Sequence, residues 1–140
     1  MEIVRKIVGA FLVVTAIVVA VHLAVTPLYH DGSPDYPVWE IVNYFMAAGV
    51  VIVLVVGILR KRAISEHEVD TPTYLRTSFV FYGGIVLASL FFWEWFWQLN
   101  PDSETGLSVN SHIIYFPVMD MLYTVLALIV GRRIWSGGGS

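Results

Sequence analysis

The chain has 140 residues, 57% of them apolar, and contains no cysteine. So high an apolar content excludes an ordinary soluble domain, and the length suits one small membrane bundle. The lack of cysteine excludes disulfides, thiolate metal sites and thiol redox chemistry. A net charge of −3 gives no support to nucleic-acid binding.

Four apolar stretches predict four transmembrane helices, because each is near the roughly 20 residues that a helix needs to cross a hydrocarbon core of about 30 Å. They lie at about 7–26, 38–59, 77–99 and 112–131. We predict an all-α, four-helix integral membrane bundle with short loops, formed by residues 1–135 as one domain, and a flexible Gly/Ser tail at 136–140. The first stretch follows Arg5 and Lys6 as a secretory signal would, but its length favours a retained helix.

The basic residues predict the orientation of the bundle. All eight lie before the first helix, between the second and third, or after the fourth, so that an even number of crossings separates the groups. Cytoplasmic loops carry the excess of Lys and Arg, so we predict cytoplasmic N- and C-termini. The two remaining loops contain Asp31, Asp35, Asp102 and Glu104, which make the external face acidic. Composition favours the plasma membrane of a prokaryote.

Small residues at helical spacing predict two packing faces, because they let helix backbones approach closely in lipid. The first face consists of Ala16, Ala20 and Ala24, and the second of Gly83, Gly84 and Ala88. Aromatic and basic residues predict the membrane boundaries. The predicted interface anchors are Trp39, Trp93, Trp95 and Trp97 at the external side and Arg60, Lys61, Arg62, Arg132 and Arg133 at the cytoplasmic side.

An internal repeat is one interpretation of a few recurring residues. A shift of 71 residues aligns Arg5 with Arg76 and Arg62 with Arg133, as well as Tyr44-Phe45 with Tyr115-Phe116. A true repeat would be parallel, with two hairpins of the same orientation. The matches are few enough for chance to explain them as well.

Within the predicted helices, ionisable residues occur only in the external half. They are His22, Glu40, Glu94 and Asp120, and Asn43 adds an amide at a similar depth. Because a charge in hydrocarbon costs about 2.5–3.5 kcal/mol on insertion scales, we expect these groups to face the bundle interior or one another. Together they form the candidate proton or ligand site.

Asp120 is the deepest of these residues and is flanked by Met119 and Met121. It is interpreted as a proton-carrying carboxylate or, together with His22, as a metal ligand. The alternative is a structural hydrogen bond worth about 1 kcal/mol. For His22 and Glu94 the alternative is an interfacial position facing water, and for Glu40 it is the favourable placement of an acid in the first turn of a helix.

No cofactor is predicted, although a metal at His22 and Asp120 remains possible. Haem is disfavoured because bis-His ligation needs two rings at matched depth, and His112 is expected at or outside the interface. The sequence contains no nucleophile–base arrangement, phosphate-binding loop or nucleotide motif, so an enzyme is the less favoured class.

Two functional interpretations follow. The first is a non-catalytic accessory or structural subunit of a membrane complex, packed in the lipid bilayer against other membrane-protein helices or a second copy. The alternative is a small transporter, channel or metal-binding component that uses the external polar residues. Convergence of these residues around a pocket would favour the alternative, whereas contacts with separate neighbours or headgroups would favour the accessory subunit.

Overall fold

The computed structural model describes residues 1–32, 36–100 and 106–137, with the backbone alone over 106–113. It is all-helical, with α1 (Glu2–Tyr29), α2 (Pro37–Ser65), α3 (Thr71–Leu99) and α4 (Gly106–Ser136). Within the described residues, each helix is long and apolar enough to cross a membrane. The prediction of an all-α chain with four such helices is therefore confirmed.

The helices extend beyond the apolar stretches that predicted them. At 28 to 31 residues each, they run roughly 42–46 Å, which exceeds a hydrocarbon core of about 30 Å. Apolarity marks only the part suited to hydrocarbon, whereas helical hydrogen bonding continues through the polar residues beyond it. The first turn of α1 shows this, since Lys6 Nζ lies 2.9 Å from Glu2 Oε1 in an i,i+4 ion pair.

The start of α3 is stabilised by its capping residue. Asp70 is the N-cap, and its carboxylate accepts a hydrogen bond from the Thr73 backbone N–H at 3.4 Å. At the other end of the chain, Ser136 still belongs to α4 and Gly137 follows with a φ of 96°. The acidic loop residues Asp35, Asp102 and Glu104 and the tail residues 138–140 lie outside the described residues.

The bundle consists of two closely packed helix pairs, α1 with α4 and α2 with α3. Glycine permits both close approaches. A Cβ atom on Gly9 would lie 2.9 Å from the Gly131 carbonyl oxygen, and one on Gly57 would lie 3.2 Å from Phe81 Cα. The first contact is closer than real Cβ atoms show and the second is tighter than most of them, so the helix backbones approach closely in both pairs.

The predicted small-residue faces are divided between the bundle interior and its surface. Ala16 is fully buried and Ala88 is nearly so, whereas Ala20 is half-buried and Ala24 is exposed. Gly84 is buried against Leu54 of the neighbouring helix, and Gly83 accommodates the side chain of Leu126. These residues thus pack the four helices together, apart from the outer end of the first face.

The two pairs meet along a seam, and of the helices that contact each other across it, α1 and α2 do so least. One close fit joins the pairs, because the ring of Tyr123 in α4 lies where a side chain on Gly49 of α2 would stand. Both residues are buried. The seam also contains buried apolar side chains, among them Leu12, Val19, Met46, Val50, Leu87, Phe91, Met119 and Leu126.

The helix boundaries agree with a parallel repeat. Shifted by 71 residues, α1 falls on 73–100 and α2 on 108–136, beside the observed Thr71–Leu99 and Gly106–Ser136. Under the same shift, α1 corresponds to α3 and α2 corresponds to α4. The α1–α4 pair therefore corresponds to the α3–α2 pair, and the two close pairs are equivalent. A pseudo-two-fold axis parallel to the helices accounts for this arrangement.

Replacing Gly9 with Val tests the close approach in the α1–α4 pair. The added side chain meets the backbone of Gly131, which cannot rotate away, so we expect a loss of about 1–3 kcal/mol in the free energy of unfolding. Thermal unfolding in detergent measures the change. Ala24→Val, on the exposed part of the same helix, is the control. Equal stability of the two variants would contradict the close packing.

Candidate functional site

Three fully buried polar side chains from three helices form the candidate site. Asn43 of α2 is 1% exposed, and Glu94 of α3 and Asp120 of α4 are each 2% exposed. We call these three residues the buried polar layer. Burial of polar groups at this level is rare in an apolar bundle and is usually associated with hydrogen bonding or function.

Contacts between the helices place the three residues at similar depth. Tyr123 contacts Gly49. Asp120 precedes Tyr123 by about 4.5 Å of helical rise, and Asn43 precedes Gly49 by about 9 Å in the same direction. Gln98 lies at the level of Asn43, and Glu94, four residues before it, lies about 6 Å deeper. Along the bundle axis, Glu94 and Asp120 are therefore within a few Å of each other.

The layer connects to the bundle surface through Asn43. Its Nδ2 donates a hydrogen bond to Oε1 of Gln98 at 3.0 Å, and Gln98 is exposed near the end of α3. This hydrogen bond links the buried amide of Asn43 to the surface. We call this end of the bundle, which holds the α1–α2 and α3–α4 connections, the loop end.

The Asp120 carboxyl group is poorly satisfied. Its Oδ1 is buried and has no hydrogen-bond partner among the described residues. Thr124, one turn later, donates to the Asp120 backbone carbonyl at 2.8 Å and not to the carboxyl group. Leaving a buried polar group without a partner costs about 1–3 kcal/mol, and far more if the group is charged. The arrangement therefore favours the uncharged carboxylic acid.

A hydrogen bond between helices closes the site on its other side. Thr15 Oγ1 and the Tyr123 hydroxyl lie 2.7 Å apart, and Thr15 Oγ1 also donates to the Phe11 carbonyl at 2.8 Å. Tyr123 is completely buried. Beyond this pair the seam is lined by apolar side chains such as Leu12 and Val53.

His22 belongs to a different network. Its Nε2 lies 3.0 Å from the Tyr29 hydroxyl, and its ring centroid is 4.6 Å from that of Trp39. The Trp39 indole donates to Thr26 Oγ1 at 3.2 Å, and Thr26 Oγ1 donates to the His22 carbonyl. The structure therefore places His22 in an aromatic group at the loop end, apart from Asp120.

Glu40 is exposed in the first turn of α2, where the helix dipole favours an acid. Of the five residues predicted to form one external site, Asn43, Glu94 and Asp120 are buried, whereas His22 is half-buried and Glu40 is exposed; that they form one site stays a prediction. Within the described part of the chain, no group of three or more metal-ligating side chains is close enough to hold an ion. The side chain of His112 lies outside that part.

The predicted anchors differ in their surroundings. Trp93 and Trp97 are exposed, Trp95 is half-buried and Trp39 is largely buried. At the end holding both termini, which we call the basic end, Lys61 Nζ donates to Ser78 Oγ at 2.8 Å and lies 4.2 Å from the Tyr74 ring centroid. Of the arginines predicted as anchors there, Arg60 and Arg133 are half-buried, and Arg62 and Arg132 are exposed.

A groove of about 260 Å³ runs between α1 and α2 beside the site. Its walls are apolar, among them Val18, Ile41, Phe45 and Met46, and Thr15 supplies one hydroxyl. The groove is the open side of the seam, where the two helix pairs are least complementary.

Sequence reasoning missed Gln98, which links the layer to the surface. Its spacing of four residues from Glu94 was the available signal, since residues i and i+4 share a helix face. Comparison of the chain with protein-family models, with curated proteins and with solved structures gave no match.

A double-mutant cycle on Thr15 and Tyr123 tests the hydrogen bond between α1 and α4. Thr15→Val and Tyr123→Phe preserve shape and each remove one hydroxyl, so we expect a coupling free energy of about 0.5–1.5 kcal/mol. Reversible unfolding in mixed micelles measures it. The pair Thr15→Val with Tyr82→Phe, whose ring is exposed, should show none. A coupling near zero in both cycles would refute the bond.

Proposed function

We propose that the protein is a small multi-pass protein of a prokaryotic plasma membrane, with cytoplasmic termini, that binds and releases a proton on its buried polar layer as a component of membrane transport. The observation that carries the proposal is the complete burial of Asp120 with an unpartnered Oδ1. Ionisable residues inside membrane helices are functional by default, because their burial is costly.

The chemistry of the layer suits a proton. An ionised Asp120 would stand in an apolar interior near the depth of Glu94, while all eight Lys and Arg residues lie at the basic end or in its connection. Desolvation opposes the ionisation of Asp120. Binding one proton removes most of this cost, so proton occupancy and the stability of the seam are coupled.

In this proposal, access to the layer is one-sided. The Asn43–Gln98 hydrogen bond lies on the loop-end side of the carboxyl groups, whereas apolar side chains fill the seam beyond Thr15 and Tyr123. With the basic end in the cytoplasm, as the positive-inside rule indicates, protons reach the layer from the external side. One-sided access supports a binding and coupling role and not a continuous pore.

Infrared spectroscopy of the protein in lipid bilayers tests the proposal. At neutral pH we expect a C=O stretching band of a protonated carboxylic acid, because the layer disfavours charge. The band should weaken in Asp120→Asn or Glu94→Gln, which remove one acid each. Glu40→Gln, at an exposed position, should leave it unchanged. A spectrum without the band, or a band insensitive to both buried substitutions, would contradict proton binding.

A second candidate function is that of an accessory subunit of a membrane complex, and the groove between α1 and α2 favours it. The groove lies at hydrocarbon depth and its walls are apolar, which suits an apolar face of a partner transmembrane helix. In this case the polar layer serves to fix the packing of the two helix pairs.

Native mass spectrometry of the protein released gently from its host membrane tests the accessory role. We expect a second polypeptide that is lost in Val18→Trp, because the indole fills the groove. Val21→Trp, on an exposed part of the same helix, should retain it. Equal retention in both variants would exclude the groove as the docking surface, and an isolated chain from wild-type membranes would exclude the accessory role.

A further inference from the structure

Three arginines from three helices converge on one recess at the basic end. Arg60 of α2, Arg76 of α3 and Arg133 of α4 line it together with the hydroxyl-bearing Thr77. The recess is small, with about 10 Å³ of room at its base, enough for one water-sized group. Its deeper walls are apolar and include Val56.

The arginines lack a counter-charge. Arg60 and Arg133 lie close enough for their like charges to oppose each other, and Arg133 Nε is buried with no hydrogen-bond partner among the described residues. The one ion pair within the described part of the chain is Lys6–Glu2. Asp70 is near enough to interact weakly with Arg76, but it forms no ion pair with it.

Placing like charges this close together is unfavourable unless an anion binds between them. We propose that the recess binds the phosphate group of an anionic phospholipid from the leaflet at the basic end. Guanidinium groups bind phosphate oxygens in bidentate fashion, and Arg133 Nε and the Thr77 hydroxyl add donors. The apolar walls then continue into the region of the lipid's acyl chains.

The dimensions of the recess favour a lipid over a soluble phosphate. A recess with room for one water-sized group takes phosphate oxygens at its mouth and cannot enclose a whole ligand. A lipid phosphate is already held at this depth by its acyl chains, whereas a free phosphate ion must be held by the arginines alone. Basic pockets between transmembrane helices recognise lipid headgroups in this manner.

Thermal unfolding in nanodiscs of two compositions tests the proposal, because the difference in stability between a variant and wild type should change sign between the two lipids. Arg60→Gln combined with Arg133→Gln removes the mutual repulsion, so the variant should be at least as stable as wild type in phosphatidylcholine. In phosphatidylglycerol the variant should be less stable than wild type, because it no longer binds the lipid phosphate. The matched control, Arg62→Gln with Arg132→Gln, removes two exposed arginines and should show no such reversal.

Native mass spectrometry identifies the bound species. Wild type should retain phosphatidylglycerol in preference to phosphatidylcholine, with an affinity at least about tenfold above that of the Arg60/Arg133 variant. Arg76→Gln, at an exposed position, should weaken retention in the same direction.

Two results would overturn the proposal. Equal losses of stability in phosphatidylglycerol for the Arg60/Arg133 variant and the Arg62/Arg132 control would attribute the effect to the general charge of the basic end. Stabilisation by inorganic phosphate in phosphatidylcholine nanodiscs, without preferential retention of phosphatidylglycerol, would assign the recess to a soluble anion.

Discussion

The contact between Tyr123 and Gly49 is the constraint on which the bundle interior depends. Glycine backbones already bring α1 to α4 and α2 to α3, and this contact joins the two pairs and sets their relative depth. It buries a phenol in an apolar seam, so the hydroxyl needs a partner, which Thr15 of α1 supplies. One residue of α4 therefore fixes the positions of α1 and α2 together, and α3 follows because it is packed on α2.

This contact divides the polar residues of the bundle interior into two groups, one towards each end. Towards the loop end, Asn43, Glu94 and Asp120 are buried near one depth, and Asn43 donates a hydrogen bond to exposed Gln98. Towards the basic end the seam is apolar until the arginine-lined recess. Two sites of opposite character therefore lie at opposite ends of the same seam, one suited to a proton and the other to an anionic headgroup. A shift between the helix pairs would alter both, so the architecture can couple them.

The number of helices and their apolar segments could be predicted from the sequence, because the length of an apolar run is a strong signal in a membrane protein. The helix ends could not, since Glu2 and Asp70 extend the helices through polar residues that hydropathy does not register. Grouping Asp120 with His22 rested on depth alone. Depth does not reveal which face of a helix is buried, and the contacts of His22 in the structure are with Tyr29 and Trp39. For the same reason the sequence predicted Arg60 and Arg133 only as interface anchors.

We propose that Asn43, Glu94 and Asp120 form one buried polar layer between the two helix pairs, with Asp120 uncharged. Solid-state nuclear magnetic resonance of the ¹³C- and ¹⁵N-labelled protein in bilayers tests it most directly, because side-chain correlations report proximity and carboxyl chemical shifts report protonation. The account predicts a correlation between the Asn43 amide and the Glu94 carboxyl carbon, and a protonated shift for Asp120 at neutral pH. An ionised Asp120, or an Asn43 that correlates only with residues of its own helix, would contradict it.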